Sequence, residues 1–174
     1  MKRMKIIVLA IASLMFASGV YAESTKLSDA QIAAIVVAAN TVDITAGKLA
    51  EKKAQDKQVQ NFGKQMVMDH TSVNKQATEL VNKLNVQPEE SATSKKLKED
   101  GNNNVTSLKK LKGKDFDKAY IDNEVTYHQT VIDMMDKTLI PDATNAELKD
   151  LLKKVRPVFI AHLDHAKNIQ SSLK

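Results

Sequence analysis

The chain has 174 residues, a formal net charge of +5 and no cysteine. The lack of cysteine excludes disulfides, thiolate catalysis and thiolate metal ligands. Lys2, Arg3 and Lys5 lie in residues 1–22, which contain no acidic residue, so the remaining chain carries a net charge of only +2. Such a small excess gives no support for nucleic-acid binding.

Residues 1–22 have the pattern of a cleaved secretory signal peptide. They combine a basic start, an apolar run from Ile6 to about Ala17, and a small-residue ending at Ala22. The run is too short for a membrane anchor, and no cysteine follows it to carry a lipid. We therefore expect export to the periplasm or beyond the cell, and one mature domain at residues 23–174. No later stretch is expected to insert stably into a membrane.

The first half of the mature chain predicts two long helices and a short one. Apolar periodicity and capping residues place the first helix from the N-cap Ser28 to about Gln55. The second begins at the cap Asp56 and ends near Leu84. A lysine-rich segment, Lys95–Leu111, is predicted as a shorter connecting helix that is weakened at the "GNNN" sequence.

The second half predicts two more long helices. One spans about residues 115–139, with Asp115 as its cap, and the other spans about 144–173. Thr144 and Glu147 have the spacing of a capping box for the fourth helix, and Pro157 should kink it. The links within each pair are short and the link between pairs is long. The expected fold is therefore all-α, a ferritin-like four-helix bundle of two antiparallel hairpins joined by a long crossover with a short helix.

Each long helix carries an acid or a histidine on its apolar stripe, where a core residue is expected. We predict that these side chains form a metal site, and they are Asp43, His70, Glu124, His128 and His162.

These side chains should also lie at one depth in the bundle. Asp43 and His70 are thirteen and fourteen residues from Asp56, which places both roughly 20 Å from the same turn at a rise of about 1.5 Å per residue. Glu124 and His162 are similarly level about the second turn. The sequence therefore predicts one polar layer near the middle of the bundle.

A buried carboxylate or imidazole is costly unless it has a partner. The layer requires either mutual hydrogen bonds or a bound cation, and histidine and carboxylate ligands suit copper, zinc, iron or manganese. The alternative is a structural or interaction protein of the bacterial envelope with a buried, metal-free polar network. No nucleophile–base pair indicates catalysis, so enzyme activity stays open.

Three further residues are predicted to surround the ligands. Tyr120, one turn before Glu124, is placed to donate a hydrogen bond to a ligand or merely to pack. Asp69, next to His70, is placed either behind the ligands or at the surface. His165 follows His162 by three residues, which suits a ligand or a residue at the rim.

The chain resembles the domain-of-unknown-function 4142 family of exported bacterial proteins over nearly all of the mature sequence. The resemblance rests on "KQMVMDHTSVN", "KDFDKAYIDNEVTYHQTVIDM" and "RPVFIAHLDHAKNI". It implies a ferritin-like bundle and an exported location, and it places Asp69, His70, Tyr120, His128 and His162 at motif positions. It implies no reaction.

The chain departs from ferritin-like di-iron proteins, which use Glu-x-x-His pairs on two helices. No such pair occurs here, since Glu124 and His128 are four residues apart. A mononuclear or non-iron site fits this ligand set better than a bridged di-iron centre with ferroxidase activity.

Overall fold

The computed structural model describes residues 26–173, which are helical throughout their regular structure and contain no strand. The predicted signal peptide at residues 1–22 lies outside this range. The five helices are α1 (Asp29–Lys53), α2 (Lys57–Lys83), α3 (Ala92–Lys110), α4 (Gly113–Met134) and α5 (Ala146–Ser172). The all-α prediction is therefore confirmed for the described residues.

The predicted starts of α1 and α2 are confirmed by their capping hydrogen bonds. The Ser28 hydroxyl accepts from the Gln31 amide, and the Gln31 side chain accepts from the Ser28 amide, which makes a capping box. The Asp56 carboxylate accepts from the Gln58 amide at 2.7 Å. Both helices end within two residues of the expected positions.

The predicted cap of α4 is wrong. The helix begins at Gly113, and Asp115 lies inside its first turn rather than before it. Lys112 occupies the cap position without a side-chain hydrogen bond. Gly113 has a φ of 59°, in the left-handed region that glycine adopts without steric cost. A backbone turn, and not an acidic cap, therefore sets this start.

The predicted capping box of α5 is also wrong by one residue. Asn145 is the N-cap, and its side chain accepts from the Leu148 amide at 3.1 Å. Thr144 instead bonds Asp29 at the start of α1, through its amide at 2.9 Å and its hydroxyl at 2.5 Å. Thr144 therefore makes a tertiary contact instead of capping the helix as its spacing to Glu147 predicted.

The α3 helix is longer than predicted and is not interrupted at the "GNNN" sequence. It begins after the N-cap Ser91 and continues through Gly101. A Cβ atom at Gly101 would lie 2.6 Å from a methyl of Val42 in α1. The glycine therefore allows α3 to approach α1 closely, which explains its place inside a helix.

The end of α4 and the middle of α5 are joined by an ion pair. α4 continues into a π-helical turn, Met135–Leu139, and a short turn, Ile140–Asp142. Arg156 donates to both carboxylate oxygens of Asp136 in the π-helical turn, at 2.5 and 2.6 Å. α5 runs on through Pro157, which has no amide hydrogen to donate.

The helices enclose two apolar clusters. α1 packs against α2, α3 and α4, and α5 packs against α4 and α2. One cluster contains Ile32, Phe159 and the residues around them, and the other contains Phe62, Phe116 and theirs. In α1, α2 and α4 the predicted ligands lie between the segments that belong to the two clusters, and His162 lies at their boundary in α5. The polar residues therefore share one layer of the interior.

By length and composition alone, α1 is apolar enough to cross a membrane, with a mean hydropathy of 1.5 over 18 residues. The expectation that no later stretch inserts stably into a membrane stays a prediction. The helix is compatible by composition with a signal sequence or with a core helix, and 56% of that segment is buried within the fold. Its apolar residues form much of the contact with α2 and α3.

Candidate metal centre

Three histidines from three helices meet in the interior. His70 in α2, His128 in α4 and His162 in α5 are each at most 1% exposed. Their ring centroids are 5.2 to 5.7 Å apart. One nitrogen of each ring lies within 4.8 Å of a nitrogen of each of the other two. The spacing is that of a set of ligands able to share one ion.

The position of the proton on His70 is determined by Asn40. The Asn40 side-chain amide donates to the Val36 carbonyl at 2.8 Å, so its oxygen is the end that faces His70. That oxygen lies 2.7 Å from His70 Nδ1, which must therefore donate. Nε2 of His70 is left with a free lone pair.

The other two histidines are held in the same way. Nδ1 of His128 donates to the Glu124 backbone carbonyl at 3.0 Å, and Nε2 of His162 donates to the Asp69 carboxylate at 2.9 Å. The remaining ring nitrogens, Nε2 of His70, Nε2 of His128 and Nδ1 of His162, are buried and have no hydrogen-bond partner. Orientation of a ring by an acceptor on its far nitrogen is typical of metal-ligating histidines.

Burial keeps these imidazoles neutral. It lowers the pKa of His70 well below its usual value, lowers that of His128 to about 3, and lowers that of His162. Repulsion from neighbouring imidazolium charge adds to the effect at His70 and His128. At neutral pH the three free nitrogens are therefore available as ligands, and no proton lies on them.

Two carboxyl groups lie beside the imidazoles. Asp43 in α1 and Glu124 in α4 are each 1% exposed, and one oxygen of each lies within 4.8 Å of the other and of a His128 nitrogen. Asp43 Oδ2 is 3.4 Å from His70 Nε2. Both Asp43 oxygens and Oε2 of Glu124 have no hydrogen-bond partner. Burial raises the pKa of Asp43 well above its usual value, and the charge of Glu124 raises it further.

Glu124 and Tyr120 lie on the side of the cluster that faces Asp43. Burial raises the pKa of Glu124 to about 8, so this acid holds a proton at neutral pH. Tyr120 is fully buried, and its hydroxyl has no hydrogen-bond partner. Burial is the largest cause that raises the pKa of Tyr120, and the charges of Glu124 and Asp43 raise it further. The phenol is therefore a neutral potential donor next to two carboxyl groups.

Of the two remaining candidates from the sequence, Asp69 contacts the histidine cluster and His165 lies at the surface. Asp69 touches the cluster through His162, and its side chain is 36% exposed. His165 is exposed, has Nδ1 3.2 Å from the Gln65 side-chain oxygen, and packs on the Phe62 ring. The structure brings Asp69 to the cluster and leaves His165 outside it.

Sequence reasoning missed Asn40. It is fully buried and orients His70, yet it lies one position away from the apolar stripe used to select the candidates. The available signal was an asparagine within an apolar run, one turn before Asp43.

The cluster could hold a metal ion. It contains two groups of three that share His128: the three imidazoles, and Asp43 and Glu124 with His128. Loss of the two carboxyl protons would balance a charge of +2. The donors fit such an ion because the buried nitrogens and oxygens named above lack any other partner.

The wider comparisons give a family and no function. Neither the search of curated proteins nor the search of solved structures found a significant match. The sequence model described as "Domain of unknown function (DUF4142)" matches residues 17–169. The chain therefore belongs to the DUF4142 family, as its resemblance predicted.

Proposed function

We propose that this is an exported protein that binds one transition-metal ion in the core of a ferritin-like four-helix bundle. In this proposal the signal peptide directs residues 23–174 to the periplasm as one domain. The bound ion serves metal handling or protection against metal stress. The support for export is the N-terminal sequence pattern, and the support for the metal is the interior cluster.

The observation that carries the metal proposal is the state of the three histidines. Each ring donates from one nitrogen to a protein acceptor and leaves the other nitrogen buried without a partner. Three buried lone pairs without a donor are unfavourable, because buried polar groups need a hydrogen bond or a cation. A cation bound by His70, His128 and His162 satisfies all three.

Asp43 and Glu124 would complete the site. They lie beside the imidazoles and would lose their protons when the ion binds, because its charge favours the ionised carboxylates. Asn40 and Asp69 would hold the rings of His70 and His162 in place. Tyr120 is placed beside the carboxyl groups as a further donor.

The donor set favours zinc or copper over manganese, which prefers carboxylate, carbonyl and water ligands. Met66 and Met135 lie in the apolar clusters, where methionine fills space between helices. The burial of the ligands suits a protein that holds or transfers an ion rather than one that turns over a large substrate.

Metal content and affinity test the proposal together. The mature protein, purified from its native compartment without chelator, should contain about one equivalent of zinc, copper or iron. Calorimetric titration of the metal-free protein with Zn²⁺ or Cu²⁺ should give one site. His70→Ala and His128→Ala should abolish it, because each removes a ligand from the cluster.

His165→Ala is the matched control, because it removes an exposed imidazole of the same helix as His162. It should bind as the unmodified protein does. Absence of metal that persists after reconstitution, or unchanged stoichiometry in His70→Ala, would refute the proposal.

One observation favours the alternative of a metal-free network. The neighbouring carboxyl groups of Asp43 and Glu124 both have raised pKa values, so one shared proton can join them without an ion. The protein would then be an envelope component that meets a protein partner. This reading leaves the three imidazole nitrogens without partners, and it expects no change of melting temperature with any metal.

A further inference from the structure

The three histidines differ in how their outer nitrogens are held. Nδ1 of His70 and Nδ1 of His128 bond to interior groups, the Asn40 side chain and a backbone carbonyl. His162 alone bonds to a partly exposed side chain, Asp69. Within residues 26–173, no other exposed side chain hydrogen-bonds to any of the three rings.

Asp69 lies in a depression at the seam between α2 and α5. The depression has a volume of about 340 Å³, and its lining includes Asp69, Ser72, Gln76, Lys154 and Val158. The Asp69 carboxylate is thus in contact with solvent on one side and with the buried ring of His162 on the other. It is a short polar connection between the surface and the cluster.

The α5 backbone is weakened at the same place. Pro157 lies inside the helix, between the lining residues Lys154 and Val158. It has no amide hydrogen, so it cannot donate to the backbone carbonyl one turn earlier in the helix. Arg156, the residue before Pro157, is held by the carboxylate of Asp136. One backbone hydrogen bond is therefore missing from α5 at the edge of the depression.

We propose that Asp69 and this depression form the entrance through which the metal ion reaches the histidine cluster, with His162 as the ligand that admits it. This inference rests on the proposed metal-binding function. The acid attracts the cation at the surface and, by holding Nε2 of His162, keeps Nδ1 free for the ion. Asp69 is thus a positioning residue and not a ligand of the final site.

Lys154 offers a second, independent test of the entry route. Its ammonium group donates to the Gln76 side-chain oxygen at 3.0 Å, and the residue lines the depression without a hydrogen bond to any of the proposed ligands. A positive charge there opposes an incoming cation. Lys153 is also exposed but is not among the lining residues, so Lys153→Gln makes the same change of charge away from the route.

The test follows Co²⁺ binding to the metal-free mature protein by visible absorption in a stopped-flow instrument, at low and at physiological salt. Asp69→Asn keeps an acceptor for His162 and removes the charge, so the association rate should fall roughly two- to ten-fold, less at high salt. Lys154→Gln should raise that rate, and Lys153→Gln should leave it unchanged. Asp69→Ala should also weaken equilibrium affinity by about 10- to 100-fold, and Asp69→Glu should restore part of it.

The outcomes separate the entrance from the site. Normal stoichiometry with unchanged rates in both Asp69→Asn and Lys154→Gln overturns the entrance and leaves the metal site standing. If Lys153→Gln and Lys154→Gln raise the association rate equally, the entrance is also overturned, since the net charge of the protein then explains the rates. If the unmodified protein binds no Co²⁺, or if His70→Ala binds it equally well, the metal site and the entrance both fail.

Discussion

Glu124 is an acid at a position where its ionised form is costly. Its pKa is raised to about 8, and the acid has a usual value of 4.5, so the folded protein holds a proton that the unfolded chain releases between these values. The stability that this proton provides is fully present below pH 4.5 and is lost as the pH rises through 8. His128 acts in the opposite direction, since its pKa falls from 6.5 to about 3, and its contribution is lost as the pH falls.

The two effects separate from about pH 7.5 to 8, because the histidines of the unfolded chain, with a usual pKa of 6.5, have by then lost nearly all their protons while the carboxyl groups still titrate. We expect the unfolding free energy of the metal-free protein to fall with rising pH in this window, by at most about 1.4 kcal/mol per pH unit for each proton. Glu124→Gln should make the decline shallower, as measured by chemical denaturation. Glu79→Gln, at an exposed acid of α2, is the control, and an equal change in it would contradict the assignment.

Asn40 is expected to matter through His70 rather than by contact with the ion. Asn40→Ala removes the acceptor that places the proton on Nδ1, so metal affinity should fall by about 10- to 100-fold. Asn40→Asp retains an acceptor and should recover much of that loss. Titration calorimetry on both variants checks this, and equal affinity in Asn40→Ala would show that the ring needs no such support.

At the scale of elements, glycines determine how closely the helices approach. Gly47 in α1 and Gly63 in α2 face each other, and a Cβ atom at Gly63 would lie 2.8 Å from Ala50 Cβ and 2.9 Å from the Gly47 carbonyl oxygen. Both contacts are with atoms that cannot rotate away. The close approach of α1 and α2 holds Asp43 and His70 near each other, since both lie within two turns of this crossing.

Gly63→Ala should therefore push α1 and α2 apart. We expect a loss of about 1–3 kcal/mol in unfolding free energy and a weaker affinity for metal, because Asp43 and His70 would separate. Lys64→Ala, at the neighbouring exposed position, should leave both quantities nearly unchanged. Denaturant unfolding and metal titration measure the two effects, and a Gly63→Ala protein of full stability would show that the helices can move apart freely.

The whole molecule joins four helices at one buried layer, so the ion should act as a clamp on the fold. α1, α2, α4 and α5 each contribute a ligand or a carboxyl group, and the apolar clusters lie on either side of the layer. Binding to the folded state alone stabilises it by mass action.

At a free metal concentration 100 times the dissociation constant, the gain should be about 2.7 kcal/mol. For a domain of this size the melting temperature should rise by roughly 5–10 °C. Calorimetric scans with Zn²⁺ and then with excess chelator check this. His128→Ala should show no rise, and a similar rise in that variant would place the ion elsewhere.

The sequence by itself determined the all-α class, the first two helix starts and the burial of the five predicted ligands. These follow from local rules, because helix periodicity decides which side chains face inward and a capping residue bonds its own helix. Local rules failed at Thr144, which bonds Asp29 across the fold, and at α4, which begins at a glycine turn. Only the tertiary structure decided which nitrogen is free in His70 and in His162. Asn40 in α1 is the acceptor for His70, and Asp69 in α2 is the acceptor for His162. Both acceptors come from another helix, so the spacing of residues along the chain does not reveal them.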